Sequence, residues 1–404
     1  MNRLERLHAA GVSIWLDTLS RRLLDSGAFA TLMDDYAITG ATSNPTIFAT
    51  AITGSDRYDD QLRAAAAEGI TVPQDLFFAL ALDDVRRAAD LLRPVYEATD
   101  RRDGFVSFEC TPDLADDTAG TIDQAVKLWN RLARPNVMIK IPATAAGIPA
   151  IEELTARGIN VNVTLLFAVA RYEQVIDAYL TGLERRVAAA QSVDAIASVA
   201  SFFVSRVDAK ADLQLPAGSE LRGRVAVANA QLAYGRYRSR FAGERWCALQ
   251  AAGARSQRPL WASTGTKDPS YSDVLYVEQL IAPDVINTMP EATLRAFADH
   301  GDATHRWAGH LEEAAETLRR AEHAGVDLAA ITADLEREGV RSFCDSYREL
   351  LECIEAKLQP PQQTGRVTGT TTEARGADRL VQNAASMAAS SQRTAFVTVD
   401  DVPS

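Results

Sequence analysis

The chain has 404 residues, of which 47% are apolar, and it carries a formal net charge of −12 at pH 7. This composition suffices for a large core, and the negative charge argues against nucleic acid or an anionic membrane as the main partner. No run approaches the roughly 18 apolar residues of a membrane-spanning helix, and the four cysteines form no CxxC pair, so we expect a reduced, cytoplasmic setting.

Short apolar segments alternate along the chain with longer stretches of helical periodicity. The eight predicted strands are 12–17, 38–43, 105–109, 137–141, 159–164, 196–203, 260–264 and 285–288. The predicted helices between them include 19–32, 75–96, 121–132, 168–188 and 223–241. An alternation repeated eight times predicts an α/β protein, a (β/α)8 TIM barrel with extra helices. An open doubly wound sheet is the alternative, although neither GxGxxG nor GxxxxGK[ST] is present to support it.

Two further helical stretches, 291–321 and 328–357, follow the eighth predicted strand. The character then changes, because QPPQQTGRVTGTTTEAR at 359–375 has no periodicity and many turn-forming residues. We therefore expect a barrel over residues 1–358 and a low-complexity linker or disordered extension of unknown role over 359–404.

Several predicted strands carry polar residues at two-residue spacing, which places them on one face of the strand. If the apolar face meets the helices, the polar face points into the barrel, toward the C-terminal end where such barrels carry active sites. The six residues that this argument brings together are Asp17, Asn44, Glu109, Lys140, Asn162 and Thr164. Simpler interpretations remain open: Asp17 as a helix N-cap, Glu109 as a counterion, and Asn162 and Thr164 as members of a satisfied hydrogen-bond network.

Lys140 interrupts the apolar run NVMIKIPATAAG at 136–147. A lone buried ammonium costs roughly several kcal/mol, so a lysine is seldom buried unless it is paired or used. An apolar pocket disfavours the charged form of a lysine, and the neutral amine forms Schiff bases with carbonyl groups. Together with carboxylates that serve as acid and base, Lys140 suggests class I aldolase chemistry.

Two segments, GATSNPTIF at 40–48 and VMIKIPATAAGIPAIEEL at 137–154, resemble the signature motifs of the transaldolase family. The resemblance extends from WLDTLSR at 15–21 to about residue 357. It implies a (β/α)8 barrel of the pentose phosphate pathway that acts without cofactor or metal. Such enzymes move a dihydroxyacetone unit from sedoheptulose 7-phosphate or fructose 6-phosphate to glyceraldehyde 3-phosphate or erythrose 4-phosphate. Small sugar phosphates are therefore the expected partners, and the family suggests a homodimer or a monomer.

The resemblance also implies roles for four catalytic residues. Lys140 matches the Schiff-base lysine, and Asp17 matches the acid/base that acts on the C4 hydroxyl. Glu109 and Thr164 match the pair that positions a catalytic water.

The remaining site residues are implied as substrate contacts. They are Asn44, Asn162 and Ser201 for the sugar and the intermediate, and Arg206 for the phosphate. The chain departs from the family pattern here, because SFFVSR at 201–206 stands where SPFVGR is usual. After the seventh strand, WASTGTKDPS offers Ser263 and Lys267 where many members carry an arginine, so Lys267 is the candidate for the second phosphate charge, or else a solvated loop lysine.

Other functions remain as alternatives. Fructose 6-phosphate aldolases share the barrel and the lysine but are shorter, and the helical insertions at 55–96 and 208–251 favour the longer transaldolases. A binding protein that has lost catalysis and the front half of a bifunctional chain are also open. His300, His305 and His310 lie five residues apart, a spacing that spreads them over different helix faces, so no metal site is expected.

Overall fold

Eight parallel strands close into a barrel in the computed structural model, which describes residues 2–304, 307 and 309–358. Each strand pairs with the next in chain order, and the last pairs with the first. The strands are β1 (Val12–Leu16), β2 (Ile38–Thr42), β3 (Phe105–Glu109), β4 (Val137–Pro142), β5 (Val161–Leu166), β6 (Ser198–Phe203), β7 (Arg258–Ala262) and β8 (Val285–Met289). The closed sheet confirms the (β/α)8 barrel and excludes the open doubly wound sheet.

Helices surround the barrel, and at least one follows every strand. Those in the described residues are α1 (Arg3–Ala9), α2 (Arg21–Asp25), α3 (Ala28–Tyr36), α4 (Pro45–Thr53), α5 (Asp59–Ala67), α6 (Pro73–Ala98), α7 (Thr118–Leu132), α8 (Gly147–Ala156), α9 (Val169–Ala188), α10 (Ser205–Gln214), α11 (Val225–Arg240), α12 (Glu244–Ala251), α13 (Leu275–Gln279), α14 (Glu291–His300), α15 (Leu311–His323) and α16 (Leu328–Leu358). The extension expected over 359–404 lies outside the described residues and stays a prediction.

Two predicted helices are each divided in the structure. The stretch 19–32 covers α2 and the first part of α3, because Gly27 adopts φ 74°, a left-handed conformation that ends one helix before the next begins. The stretch 291–321 covers α14 and most of α15, because the chain becomes extended at Gly301, where ψ is 147°. Periodicity continued across both breaks, and it could not by itself reveal them.

The seventh strand begins and ends two residues earlier than predicted. The expected span was 260–264, whereas β7 is Arg258–Ala262 and includes Pro259, paired with Ala200 on β6. Ser263 ends the strand with φ 55°, a left-handed conformation that strand pairing does not accommodate. Proline cannot donate a hydrogen bond to a neighbouring strand, so the sequence pattern predicts that the strand begins after Pro259. This explains the error.

The Trp15 side chain lies in the barrel interior, toward its N-terminal end. Its ring is fully buried, packs 6.4 Å from the ring of Phe105, and donates a hydrogen bond of 2.7 Å from Nε1 to Oδ1 of Asp103. A Cβ at Gly40 would lie 2.4 Å from this ring, so only glycine leaves room for it. The indole also lines the cavity at the N-terminal end of the barrel, whereas Asp17, two residues later, lines the cavity at the C-terminal end.

The variant Gly40→Ala is expected to lower the free energy of unfolding by about 1–3 kcal/mol, because the added methyl group overpacks the interior against Trp15. Denaturant unfolding measures this cost. In a Trp15→Phe background the smaller ring relieves the contact, so Gly40→Ala should cost clearly less there. An equal cost in both backgrounds would contradict this packing explanation.

Candidate active site

A cavity of about 170 Å³ opens at the C-terminal end of the barrel. Its lining comes from most of the strands or the segments that follow them: Asp17, Thr42, Asn44, Lys140, Thr164, Ser201, Phe203, Arg206, Ala262, Ser263, Gly265, Lys267, Thr288 and Pro290, with Phe343 from α16. Eight of the ten predicted site residues are among them. Each of the other two contacts a lining residue, Glu109 at Lys140 and Asn162 at Ser201.

Lys140 lies on β4 with only 5% of its surface exposed. Strand pairing places Glu109 and Asn162 beside it on the two neighbouring strands. Its Nζ donates to the Ser43 carbonyl oxygen at 2.9 Å and to Oε2 of Glu109 at 3.4 Å. The expected apolar pocket is therefore wrong, because the amine lies among polar groups.

Glu109 is buried next to Lys140, with 8% of its surface exposed. Burial raises the pKa of its carboxyl group, and the positive charge of Lys140 opposes that effect. A carboxyl group with a raised pKa can take up and return a proton closer to neutral pH than an exposed glutamate can. Glu109 is thus a counterion of Lys140, as the simpler interpretation expected, and this role is compatible with proton transfer.

Asp17 lies just beyond the end of β1, and its carboxylate does not cap a helix. The residue before α2 is Ser20, whose Oγ accepts from the Leu23 amide, so the N-cap interpretation of Asp17 is wrong. Oδ1 of Asp17 instead accepts a hydrogen bond of 2.7 Å from Thr42, whose hydroxyl also lies 2.9 Å from that of Thr288. Desolvation raises the pKa of Asp17, while the Thr42 hydrogen bond and the charge of Lys140 oppose that effect.

Thr164 contributes a buried hydroxyl group that no neighbour uses. Its Oγ1 has no hydrogen-bond partner among the described residues, although the residue is fully buried and lines the cavity. The next residue, Leu165, has φ 55° within an irregular part of β5. Buried hydroxyl groups are rarely left unpaired, and strained residues concentrate at functional sites, so this position fits contact with a water or substrate hydroxyl.

Three buried side chains form a hydrogen-bonded layer next to the cavity. Nδ2 of Asn162 donates to Ser107 Oγ at 2.8 Å, and Ser201 Oγ donates to Oδ1 of Asn162 at 2.7 Å. Both ends of the Asn162 amide are thus engaged, as the simpler interpretation expected. Asn44 uses Oδ1 to cap α4 through the Ile47 amide at 2.9 Å, and it lines the cavity itself.

Two cations, Arg206 and Lys267, face the same cavity. Neither has a hydrogen bond or an ion pair within the part of the chain that the structure describes, and the Arg206 guanidinium lies 5.3 Å from the ring centre of Phe203. Desolvation lowers the pKa of each, and the charge of Arg206 further lowers that of Lys267. The charge of Asp17, in the same cavity, opposes the lowering of both pKa values but forms no ion pair with either cation. Two cations without a direct ion pair, in a chain of net charge −12, form a site for an anionic group.

A second cavity, of about 340 Å³, opens at the N-terminal end of the barrel beneath Trp15. Four arginines line it, and each has an aspartate within ion-pair distance: Arg101 with Asp194, Arg102 with Asp284, Arg255 with Asp100, and Arg258 with Asp103. Although larger, it has neither a buried lysine nor an unpaired cation among its described lining residues. The chemistry-bearing residues converge on the smaller cavity.

Comparison with known proteins shows the family of the chain. The family model described as transaldolase/fructose-6-phosphate aldolase matches residues 14–354. A transaldolase of Saccharopolyspora erythraea is 51% identical over 361 residues, covering 88% of this chain and 98% of the relative. A transaldolase of Acidothermus cellulolyticus is 52% identical over 363 residues, covering 88% and 97%. The chain belongs to the transaldolase/fructose-6-phosphate aldolase family. The resemblance based on its two motifs is thereby confirmed.

Some residues that line the cavity at the C-terminal end of the barrel were absent from the predicted site. Thr42 and Thr288 follow the two-residue alternation of their strands and could have been found by it. Phe343 could not, because it comes from α16, far along the chain. Ser205, where the family pattern has glycine, has a specific contact: its hydroxyl lies 2.9 Å from that of Ser263, and its amide donates to the Ser263 carbonyl at 3.0 Å.

Metal ligands and membrane spans were sought throughout the described residues. No group of three or more potential metal-binding side chains is found there, and His300 contacts Asp273 and Asp299 instead. His305 lies outside the described residues. Among the described helices, none combines the length and hydropathy needed to cross a bilayer.

Proposed function

We propose that this chain catalyses the transaldolase reaction, transferring a dihydroxyacetone unit between sugar phosphates through a Schiff base on Lys140. The observation that carries the proposal is the position of the Lys140 amine, buried against the Glu109 carboxyl group in a cavity that Asp17, Arg206 and Lys267 also line. The family assignment and curated relatives named transaldolase at about half identity support it.

In the first step, the Lys140 amine attacks the C2 carbonyl carbon of a ketose phosphate. A carbon–nitrogen bond forms, and the carbinolamine then loses its C2 oxygen as water. Glu109 provides the proton for this departure and takes it back on hydrolysis, a role that suits a buried carboxyl group with a raised pKa. The unpaired Thr164 hydroxyl holds the water involved.

In the second step, Asp17 takes the proton of the C4 hydroxyl. The C3–C4 bond breaks, its electron pair passes to the protonated Schiff base, and an enamine of dihydroxyacetone remains on Lys140. The aldose phosphate leaves with the new carbonyl group. An acceptor aldose phosphate then reacts in the reverse sense, with Asp17 returning the proton, and hydrolysis frees Lys140. The Thr42 hydrogen bond keeps the Asp17 carboxylate oriented toward the cavity.

The remaining polar residues bind the substrate. Asn44 and Ser201 contact sugar hydroxyls, with Asn162 orienting Ser201 from below. Arg206 and Lys267 bind the phosphate, since neither forms a hydrogen bond or an ion pair with another described residue. The family resemblance suggests a cytoplasmic location, the pentose phosphate pathway and either a homodimer or a monomer.

The competing function within this family is simple cleavage, as in fructose 6-phosphate aldolases. Relatives that align over 97–98% of their own length are named transaldolase, which favours transfer. The test incubates the protein with fructose 6-phosphate, with and without erythrose 4-phosphate. Formation of sedoheptulose 7-phosphate that depends on the acceptor supports transfer, whereas release of free dihydroxyacetone at the same rate in both samples would identify an aldolase.

A further inference from the structure

The two unpaired cations of the cavity are carried by segments that are separate in the chain. Arg206 is the second residue of α10, and Lys267 lies in the loop between β7 and α13. Arginine and lysine side chains are long and lose much rotamer freedom when they are held in one place. Binding one phosphate with both therefore requires that the two segments keep a fixed separation.

A buried cluster joins these segments. Asp208 and Asp212 lie one turn apart on α10, shortly after Arg206. The hydroxyl of Tyr276 donates to Oδ2 of Asp208 at 3.0 Å, and that of Tyr271 donates to Oδ2 of Asp212 at 2.7 Å. Both tyrosines follow Lys267, Tyr271 by four residues, so each hydrogen bond spans from the Arg206 segment to the Lys267 segment.

The other oxygen of each carboxylate binds a third segment. Oδ1 of Asp208 accepts from the Ala226 amide at 2.7 Å, and Oδ1 of Asp212 accepts from the Gly223 amide at 3.1 Å. Both aspartates are at least nine-tenths buried, yet the donors to these four carboxylate oxygens are neutral hydroxyl and amide groups. Burying two acidic side chains is costly, and burial raises the pKa of Asp208 to about 7. Hydrogen bonds from neutral groups offset that cost only with correct geometry, so the cluster favours one arrangement of its three segments.

We propose that Asp208, Asp212, Tyr271 and Tyr276 are positioning residues that set the Arg206–Lys267 separation and thereby the preference for phosphorylated substrates. They do not touch the substrate, since none of the four lines the cavity. The contacts of Ser205 with Ser263 connect the same two segments nearer the cavity. The Arg206 and Lys267 segments are thus joined at two places, by the two serines and by the aspartate–tyrosine cluster. The inference rests on the proposed function of the cavity.

The test removes only hydroxyl groups, in the double variant Tyr271→Phe/Tyr276→Phe. The KM for fructose 6-phosphate and the inhibition constant of inorganic phosphate are each expected to rise about tenfold, because small misplacements of binding groups are costly. We expect kcat to stay within about twofold and kcat/KM for unphosphorylated fructose to be unchanged. The preference for fructose 6-phosphate over fructose therefore falls about tenfold.

The matched control is Tyr179→Phe, which removes another buried tyrosine hydroxyl, bonded to the Arg255 carbonyl oxygen beside the opposite end of the barrel. It should leave the preference at the wild-type value even if the melting temperature falls. In an Arg206→Gln background, the tyrosine changes should lower the preference no further, because they act through the cations.

An unchanged preference for fructose 6-phosphate over fructose in the double variant would overturn the inference. An equal fall of that preference in Tyr179→Phe would also overturn it, as would a further tenfold fall when the tyrosine changes are added to Arg206→Gln. These outcomes are distinct from a failure of the proposed function. That failure would be seen in the wild-type protein, as an absence of turnover with fructose 6-phosphate.

Discussion

The variant Lys140→Ala is expected to lose at least about 10⁴-fold in kcat, because without the amine no covalent intermediate forms. The fold should persist, since the cavity around Lys140 is polar and the Glu109 carboxyl group can become protonated when its charged partner is removed. The measurement is the rate of transfer from fructose 6-phosphate to erythrose 4-phosphate, accompanied by thermal unfolding.

The matched control for this variant is Lys127→Ala, because Lys127 lies on α7 with an exposed side chain and is remote from the cavity. It should transfer at the wild-type rate. Appreciable turnover by a folded Lys140→Ala protein would refute the Schiff-base role.

The variant Asp17→Asn is expected to reduce kcat by about 10²–10⁴-fold while leaving Schiff-base formation intact, because only proton transfer at the C4 hydroxyl is lost. The asparagine can still accept the Thr42 hydrogen bond, so the cavity keeps its shape. Reduction with borohydride and mass measurement should therefore detect the whole fructose 6-phosphate skeleton on the protein, where the wild-type protein carries the three-carbon unit.

Two comparisons make this prediction specific. The exposed variant Asp34→Asn, on α3, should behave as wild type. Removal of the C4 hydroxyl proton needs the carboxylate form of Asp17, and desolvation raises the pKa of that group. As the pH is lowered, wild-type kcat should therefore begin to decline at a pH above the ordinary aspartate pKa. The residual activity of Asp17→Asn should lack that decline. A three-carbon adduct at the wild-type level in the variant would show that another group takes the proton.

Much of this site follows from local pattern. Residues two apart on a strand share a face, so the strand sequences alone direct Asp17, Glu109 and Lys140 into the barrel interior. Because neighbouring strands are parallel and pair in chain order, such residues come to lie at the same height along the barrel axis, as Glu109 does beside Lys140. The eight strands were all predicted to within two residues of their ends.

The rest depends on contacts between distant parts of the chain. Phe343 reaches the cavity because α16 packs over the barrel mouth, and Asp208 meets Tyr276 across 68 residues. The division of helices at Gly27 and at Gly301 depends on backbone dihedrals that hydrophobic periodicity does not encode. The polar neighbours of the Lys140 amine include a backbone carbonyl, that of Ser43, which no side-chain pattern can predict.

The most direct test of the proposed mechanism is mass spectrometry with peptide mapping after fructose 6-phosphate and sodium borohydride are added to the wild-type protein. The mechanism predicts a reduced dihydroxyacetone adduct on Lys140, which disappears when erythrose 4-phosphate is added before the borohydride. An adduct on a different lysine, or no adduct in either sample, would contradict covalent catalysis at Lys140.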